Sequence, residues 1–278
     1  MWKINFYYKK KLGFPQPWES FPIGTLDHQV RKFQGEHGGL TVDGILGPKT
    51  LAAIKGEVWT PPIVDYIIID GKKERVPFPV VIWDEPGGMS FYGQKGWRKR
   101  LDPSGKKIDL FVLHWDVCTS THQCFHVLIT RGLSVHFMLD GDGTVYQALD
   151  LAEARAWHAG NFNERSIGVE IQNPVLPKYN HTQNPSRTVI TEQHVHCGGT
   201  WQHLDFHDIQ KKRVAQVAEV MCDLFKIPRV LPMRGGSVSR YLAPKRYRGV
   251  CGHFHLSKKK RDPGLSIFES LFSGKEKK

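Results

Sequence analysis

Near its C-terminus the chain reads Cys251-Gly252-His253, then a short basic loop, then Lys260-Arg261-Asp262-Pro263-Gly264. Far upstream, the apolar run that starts at Leu110 ends in His114. Two imidazoles and a carboxylate are a donor set that a catalytic zinc ion accepts, with a fourth position left open to water. The chemistry depends on whether His114, His253 and Asp262 meet in space. Taken singly each has a plainer reading: a histidine that closes a strand, or an aspartate that forms the turn before Pro263-Gly264. Glu170 is a second point of interest, because Ile167, Val169 and Ile171 around it form a strand whose apolar side chains point the other way. The alternative for Glu170 is a solvated ion pair.

These groups need a frame, and the pattern supplies one. Leu110 to His114 reads as a short buried strand, followed by a helix from about Thr121 to Thr130. Val135, Phe137 and Leu139 alternate with polar or softer residues, and Asp140-Gly141-Asp142-Gly143 then turns into Thr144-Val145-Tyr146 as a hairpin. Val214, Val217, Ala218, Met221, Leu224 and Phe225 recur at helical spacing, and Ile227-Pro228 ends that helix. Leu265 to Phe272 reads as a terminal helix and Lys275 to Lys278 as a frayed basic tail. Upstream, Val64 to Ile69 and Val76 to Trp83 read as two strands joined at Asp70-Gly71, while the basic loop from Gly87 to Arg100 takes no assignment. Strands alternating with helices imply an α/β (α+β) fold, a central mixed β-sheet flanked by helices.

Residues 25–55 read as a compact helical unit. Val30-Arg31-Lys32-Phe33-Gln34 has helical spacing, Gly38 to Gly44 turns, and Pro48 starts a second helix through Ile54. Thr60-Pro61-Pro62 reads as a stiff linker. The division implied is an N-terminal segment 1–59, a connecting stretch 60–107 and a catalytic domain 108–278.

Composition narrows the classes. A 40% apolar fraction with eight tryptophans supports a packed core rather than disorder. The net charge of +12 favours an anionic partner such as nucleic acid, an anionic membrane or a bacterial envelope, although a solvated basic surface explains it equally. A nucleic-acid binder would rest on charge alone, since no binding motif accompanies it. Five cysteines without a CxxC pair argue against a disulfide framework or a thiolate zinc knuckle and for reduced, mostly buried thiols. No apolar stretch with a small-residue cleavage site opens the chain, and no run approaches the roughly 20 residues of a membrane span.

The segment from Val30 to Leu51, with Phe33-Gln34, Val42-Asp43-Gly44 and Gly47-Pro48-Lys49-Thr50 in order, resembles the small peptidoglycan-binding repeat that accompanies cell-wall hydrolases. A helical hairpin that only caps its neighbour is the other reading. Farther on, six motifs occur in one order: Phe111-Val-Leu-His114, Ser134-Val-His-Phe137, Asp142-Gly-Thr-Val145, Ala156-Trp-His-Ala-Gly160, Ser166-Ile-Gly-Val-Glu170 and Gly252-His253 through Lys260-Arg-Asp-Pro-Gly264. Together they resemble the zinc-dependent N-acetylmuramoyl-L-alanine amidases shared by phage endolysins, bacterial muropeptide amidases and peptidoglycan recognition proteins, over residues 108–272.

The resemblance implies one Zn2+ held by His114, His253 and Asp262, Glu170 as the general base, and Lys260 steadying the oxyanion, unless Lys260 merely faces water with Lys258, Lys259 and Arg261. It implies that His136, Trp157 and His158 line the substrate groove, with aromatic core packing as their alternative. The family's acidic residue two positions after the second histidine is replaced here by His255, a rival or supporting ligand. His181, His194, His196, His203, His207 and Cys197 crowd the stretch 173–207, read as an insertion beside the cleft or as a further metal site. The expected activity is cleavage of the amide between N-acetylmuramic acid and L-alanine by a monomeric phage endolysin. It would be made in a bacterial cytoplasm without a signal peptide and act on the wall, with peptidoglycan and no nucleic acid as partner. A non-catalytic peptidoglycan recognition protein on the same fold is the alternative.

Overall fold

The computed structural model describes residues 2–272 apart from 103, 105, 106, 235, 236 and 242–244. The basic tail from Lys275 to Lys278 therefore lies outside the described residues. Three helices come first: α1 (Trp2–Leu12), α2 (Ile23–Glu36) and α3 (Pro48–Ile54). Then follow β1 (Val64–Ile69), β2 (Lys72–Ile82), β3 (Trp97–Lys99), β4 (Leu110–Trp115), α4 (Thr121–Arg131), β5 (Phe137–Leu139), β6 (Val145–Gln147), β7 (Ala154–Ala156) and β8 (Ser166–Ile171). A hairpin of β9 (Val189–Gln193) and β10 (Thr200–Leu204) precedes α5 (Asp208–Phe225). The short pair β11 (Met233–Arg234) and β12 (Ser237–Val238), β13 (Gly249–Gly252) and α6 (His253–Leu256) complete the set.

The main sheet runs β1-β2-β6-β5-β8-β4-β13. Its last four strands are mutually parallel, while β1 with β2 and β6 with β5 are antiparallel. Every residue of β4 is buried, as a strand covered on both faces requires. Phe111, Leu113 and Trp115 point to the face packed by Val214, Val217, Ala218 and Met221 of α5. Leu110, Val112 and His114 point to the opposite face by the period-two rule.

On that second face Met138 and Tyr146 of the sheet, Phe125 and Leu128 of α4, and Tyr8, Val30, Ile45 and Leu51 of the N-terminal helices form one apolar cluster. Tyr7 and Phe91 both meet the Phe125 ring edge-on, at 5.4 and 5.0 Å. Polar links reinforce the junction. Buried Asp43 accepts from Ser120 Oγ at 2.5 Å and from Gln34 Nε2 at 2.8 Å, while Lys49 bridges Asp140 and Asp142. Ser120 also caps α4 by accepting from Gln123 N at 3.1 Å, so one residue both starts the helix and ties it to the helical unit.

Three readings of the pattern need adjustment. The basic loop 87–100 contains β3, which pairs with β7. The insertion carries the β9–β10 hairpin. The expected terminal helix over Leu265–Phe272 is only a 3-10 turn at Ser266–Ser270, since Leu271 turns extended at ψ 128° directly after it.

Because the N-terminal helices and α4 share one core, Phe125→Ala is expected to lower stability by about 3–5 kcal/mol. Urea unfolding followed by tryptophan fluorescence and by far-ultraviolet circular dichroism should still give one coincident transition. Two separated transitions in the wild type would contradict the shared core.

Candidate active site

The parallel register builds the site from three strand ends. His114 lies opposite Glu170 across β4 and β8, and Gly252 opposite Leu113 across β13 and β4, so His253 emerges one step past the same edge. Asp262 returns on the loop after α6, where its carbonyl accepts from Phe254 N at 3.1 Å. Its Oδ2 lies 2.9 Å from His114 Nδ1 and 3.0 Å from His253 Nδ1, and the three donor atoms fall within 4.8 Å of one another. A tetrahedral zinc site has ligand–ligand edges of about 3.4 Å, so this group suits the ion with little adjustment.

Electrostatics favours the ligating forms. Burial, then the neighbouring His253, draws the His114 imidazole down to about 4, leaving it neutral. Burial alone would raise the Asp262 carboxyl, but hydrogen bonds with His114 and His253 hold it below the ordinary carboxylate range. Glu170 goes the other way: burial first, then Asp262 and Asp116, push its carboxyl well up, against the pull of Lys260 and Arg131. Its Oε2 is sealed from solvent without a hydrogen-bond partner among the described residues. A carboxyl in that state is poised to exchange a proton. Lys260 lies close enough for its charge to act on both His114 and Glu170.

His158 stands nearer the chemistry than a groove-lining role requires. Its Nδ1 is 3.0 Å from His114 Nε2 and its Nε2 is 3.1 Å from Ser166 Oγ. With His114 Nδ1 turned to the donor group, its other nitrogen is oriented by this chain. Gly168 makes the arrangement possible, since a Cβ there would meet the His158 ring at 2.4 Å. Trp157 does face outward, 39% exposed.

His136 departs from the expected groove position. It is completely enclosed, with Nδ1 accepting from Gly168 N at 3.2 Å and Nε2 donating to Ala154 O at 3.1 Å, and its ring lies 5.8 Å from that of His158. Arg100 fixes the same layer through the carbonyls of Asn163, Glu164 and Ser166. His255 is not a rival ligand: its Nδ1 accepts from Gly252 N at 2.9 Å, and its ring packs on Phe254 and Phe268.

The histidines of the insertion form no converging donor group among the described residues. Asp116, Cys118 and Cys124 do form a second group, but Asp116 Oδ1 already accepts from Cys118 N and Asn173 N. A small cleft of about 100 Å³ lined by Thr41, Lys49, His122, Asp142 and Asn184 lies apart from the His114 group, where the helical unit meets the sheet.

The sequence description N-acetylmuramoyl-L-alanine amidase matches residues 104–265. The chain belongs to that family. Residues 24–54 match a putative peptidoglycan binding domain. Among solved structures, a selenomethionine AmpD derivative is similar at 17% identity and TM-score 0.38, over 64% of this chain and 91% of that one. AmpDh3 from Pseudomonas aeruginosa in complex with anhydromuramic pentapeptide is similar at 19% and 0.40, over 60% of each chain. The Ph2119 endolysin from Thermus scotoductus MAT2119 bacteriophage Ph2119 is similar at 16% and 0.39, over 69% and 97%. No curated protein matches the chain in sequence.

Burial, then Arg100, lowers His136 to about 3 from an ordinary 6.5. The unfolded chain therefore takes up a proton at this residue below pH 6.5 that the folded protein refuses until about 3, and stability is lost as pH falls through that window. His136→Gln removes this contribution, worth roughly 3 kcal/mol at pH 4.5. Urea titrations at pH 7 and 4.5 should show a smaller acid-induced loss in the variant than in the wild type, and equal losses would refute the assignment.

Proposed function

We propose that the chain hydrolyses the amide between the lactyl group of N-acetylmuramic acid and the L-alanine of the stem peptide, using one zinc ion held by His114, His253 and Asp262. The observation that carries this reading is the approach of those three donor atoms to within 4.8 Å of one another from positions up to 148 residues apart. The donor chemistry fits: two imidazoles and an ionised carboxylate are a set that zinc accepts. Bound there, zinc would polarise the scissile carbonyl and acidify water.

The chain's own groups supply the remainder. Glu170 takes the proton of the attacking water, and its raised affinity lets it keep that proton until the departing alanine nitrogen needs it. The Lys260 ammonium opposes the negative charge that grows on the amide oxygen. His158 holds the His114 ring in one orientation through the 3.0 Å contact at Nε2. Trp157 offers an exposed indole against which sugar or peptide can pack.

The match at residues 24–54 supports a role at the cell wall, where the helical unit would keep the enzyme close to its substrate. We read the protein as a lytic enzyme of the phage endolysin type.

Mass spectrometry of digested sacculi should find free stem peptides with an L-alanine N-terminus. New reducing sugar ends, cleavage between peptides, or wall binding without any product would overturn the reading. Glu170→Gln should retain one zinc by elemental analysis while turnover falls by about two orders of magnitude or more. Loss of metal from that variant would remove Glu170 from the proton-transfer role.

A further inference from the structure

The loop that carries Asp262 differs from the strand ends that carry His114 and His253. Between Ser257 and Gly264 it forms only turns, with Lys260 N donating to Ser257 O and Gly264 N to Arg261 O. Beyond it the chain must enter the 3-10 turn at Ser266–Ser270, whose leading N–H groups have no partner within the turn. Glu192 of β9 supplies that partner. Its Oε2 accepts from Leu265 N at 2.9 Å and its Oε1 from Ser266 N at 2.7 Å.

The carboxylate is itself held. Trp201 lies opposite Glu192 in the hairpin register, His203 Nε2 stands 3.5 Å from Glu192 Oε2, and the Trp201 and His203 rings stack at 4.6 Å. Both rings meet Trp115, the residue next to His114 on β4, at 5.6 and 5.7 Å. Gly264, with φ +80°, is wedged in the same place: a Cβ there would lie 2.9 Å from the Trp115 ring and 3.0 Å from Glu192 Oε2. The metal-side loop is thus clamped on one side by Phe254 N and on the other by the insertion.

We infer that Glu192 is a positioning residue that fixes the Asp262 loop through the backbone of Leu265 and Ser266, so that Asp262 Oδ2 stays in reach of His114 and His253. This rests on the reading of those three residues as zinc ligands. It gives the 173–207 insertion a function in building the site: the hairpin reaches across to brace the one ligand that lies away from a strand end. Two charge-assisted hydrogen bonds to backbone N–H groups are a strong clamp, and an amide in place of the carboxylate keeps an acceptor for only one of them.

Zinc-free wild type, Glu192→Gln, Glu192→Ala and Asp262→Ala are titrated with zinc against a chromogenic chelator, and the melting temperature of each zinc-free protein is recorded. Glu192→Ala should bind zinc about 10–100-fold more weakly than wild type, with Glu192→Gln between them. Zinc-free Glu192→Gln should melt within about 2–4 °C of wild type, the shift of a change near 1 kcal/mol in a chain of this size. Unchanged zinc affinity in both Glu192 variants, with or without a lower zinc-free melting temperature, overturns the positioning role. Asp262→Ala tests the underlying reading separately, because an affinity equal to wild type there would remove Asp262 from the ligand set whatever Glu192 does.

Discussion

Asp262 Oδ2 is shared between two imidazole nitrogens, at 2.9 and 3.0 Å, and the surrounding architecture is organised to keep that contact. Three polar groups gathered out of water are costly unless each finds a partner. Here they partner one another, and a cation with open coordination can take the place of the protons they share. The contact requires two strand ends and one loop to arrive together. Parallel pairing of β13, β4 and β8 fixes the first two by register, since a one-residue slip would turn His114 or Glu170 to the opposite face. The loop has no such register and depends on side chains from elsewhere.

That dependence explains why so much of the polar interior lies one layer behind the site. Ser166, His158 and Gly168 act together: the hydroxyl meets one nitrogen of the ring, the other nitrogen meets His114, and the missing side chain leaves space for the ring. His136 and Arg100 then occupy the next layer, with a neutral imidazole satisfied by backbone at both nitrogens. The segments Ala156–Gly160 and Ser166–Glu170, distinct in sequence, are thus one device in space.

Much of this was legible beforehand, for physical reasons. A fully buried strand must be apolar throughout, so Leu110 to Leu113 ending in His114 stood out, as did Glu170 among Ile167, Val169 and Ile171. The Asp70-Gly71 hairpin turn and the proline-started helix at Pro48 are local signals, and both occur where the pattern puts them. What was hidden is long-range. Whether an imidazole lines a groove or lies beneath it depends on what packs over it, and neither His136 nor His255 advertises its enclosure. The clamp at Glu192 pairs a carboxylate with backbone N–H groups more than seventy residues away, and nothing in the types or spacing of those residues announces it. The turn at Ser266 reads as helix by periodicity and is cut short where the Leu271 backbone turns extended.

The N-terminal helices bear on the same question of rigidity. Their motif residues Gln34, Asp43 and Lys49 hydrogen-bond to one another's loops, to Ser120 and to the Asp140–Asp142 turn. Ser120 starts α4, and α4 covers the face of the sheet from which His114 and Glu170 project. Any force transmitted through the helical unit therefore reaches the roof of the site through a packed core rather than a slack tether. A unit joined in this way constrains the orientation of the sheet edge that bears the site, because a close-packed junction leaves the two parts little freedom to move against each other.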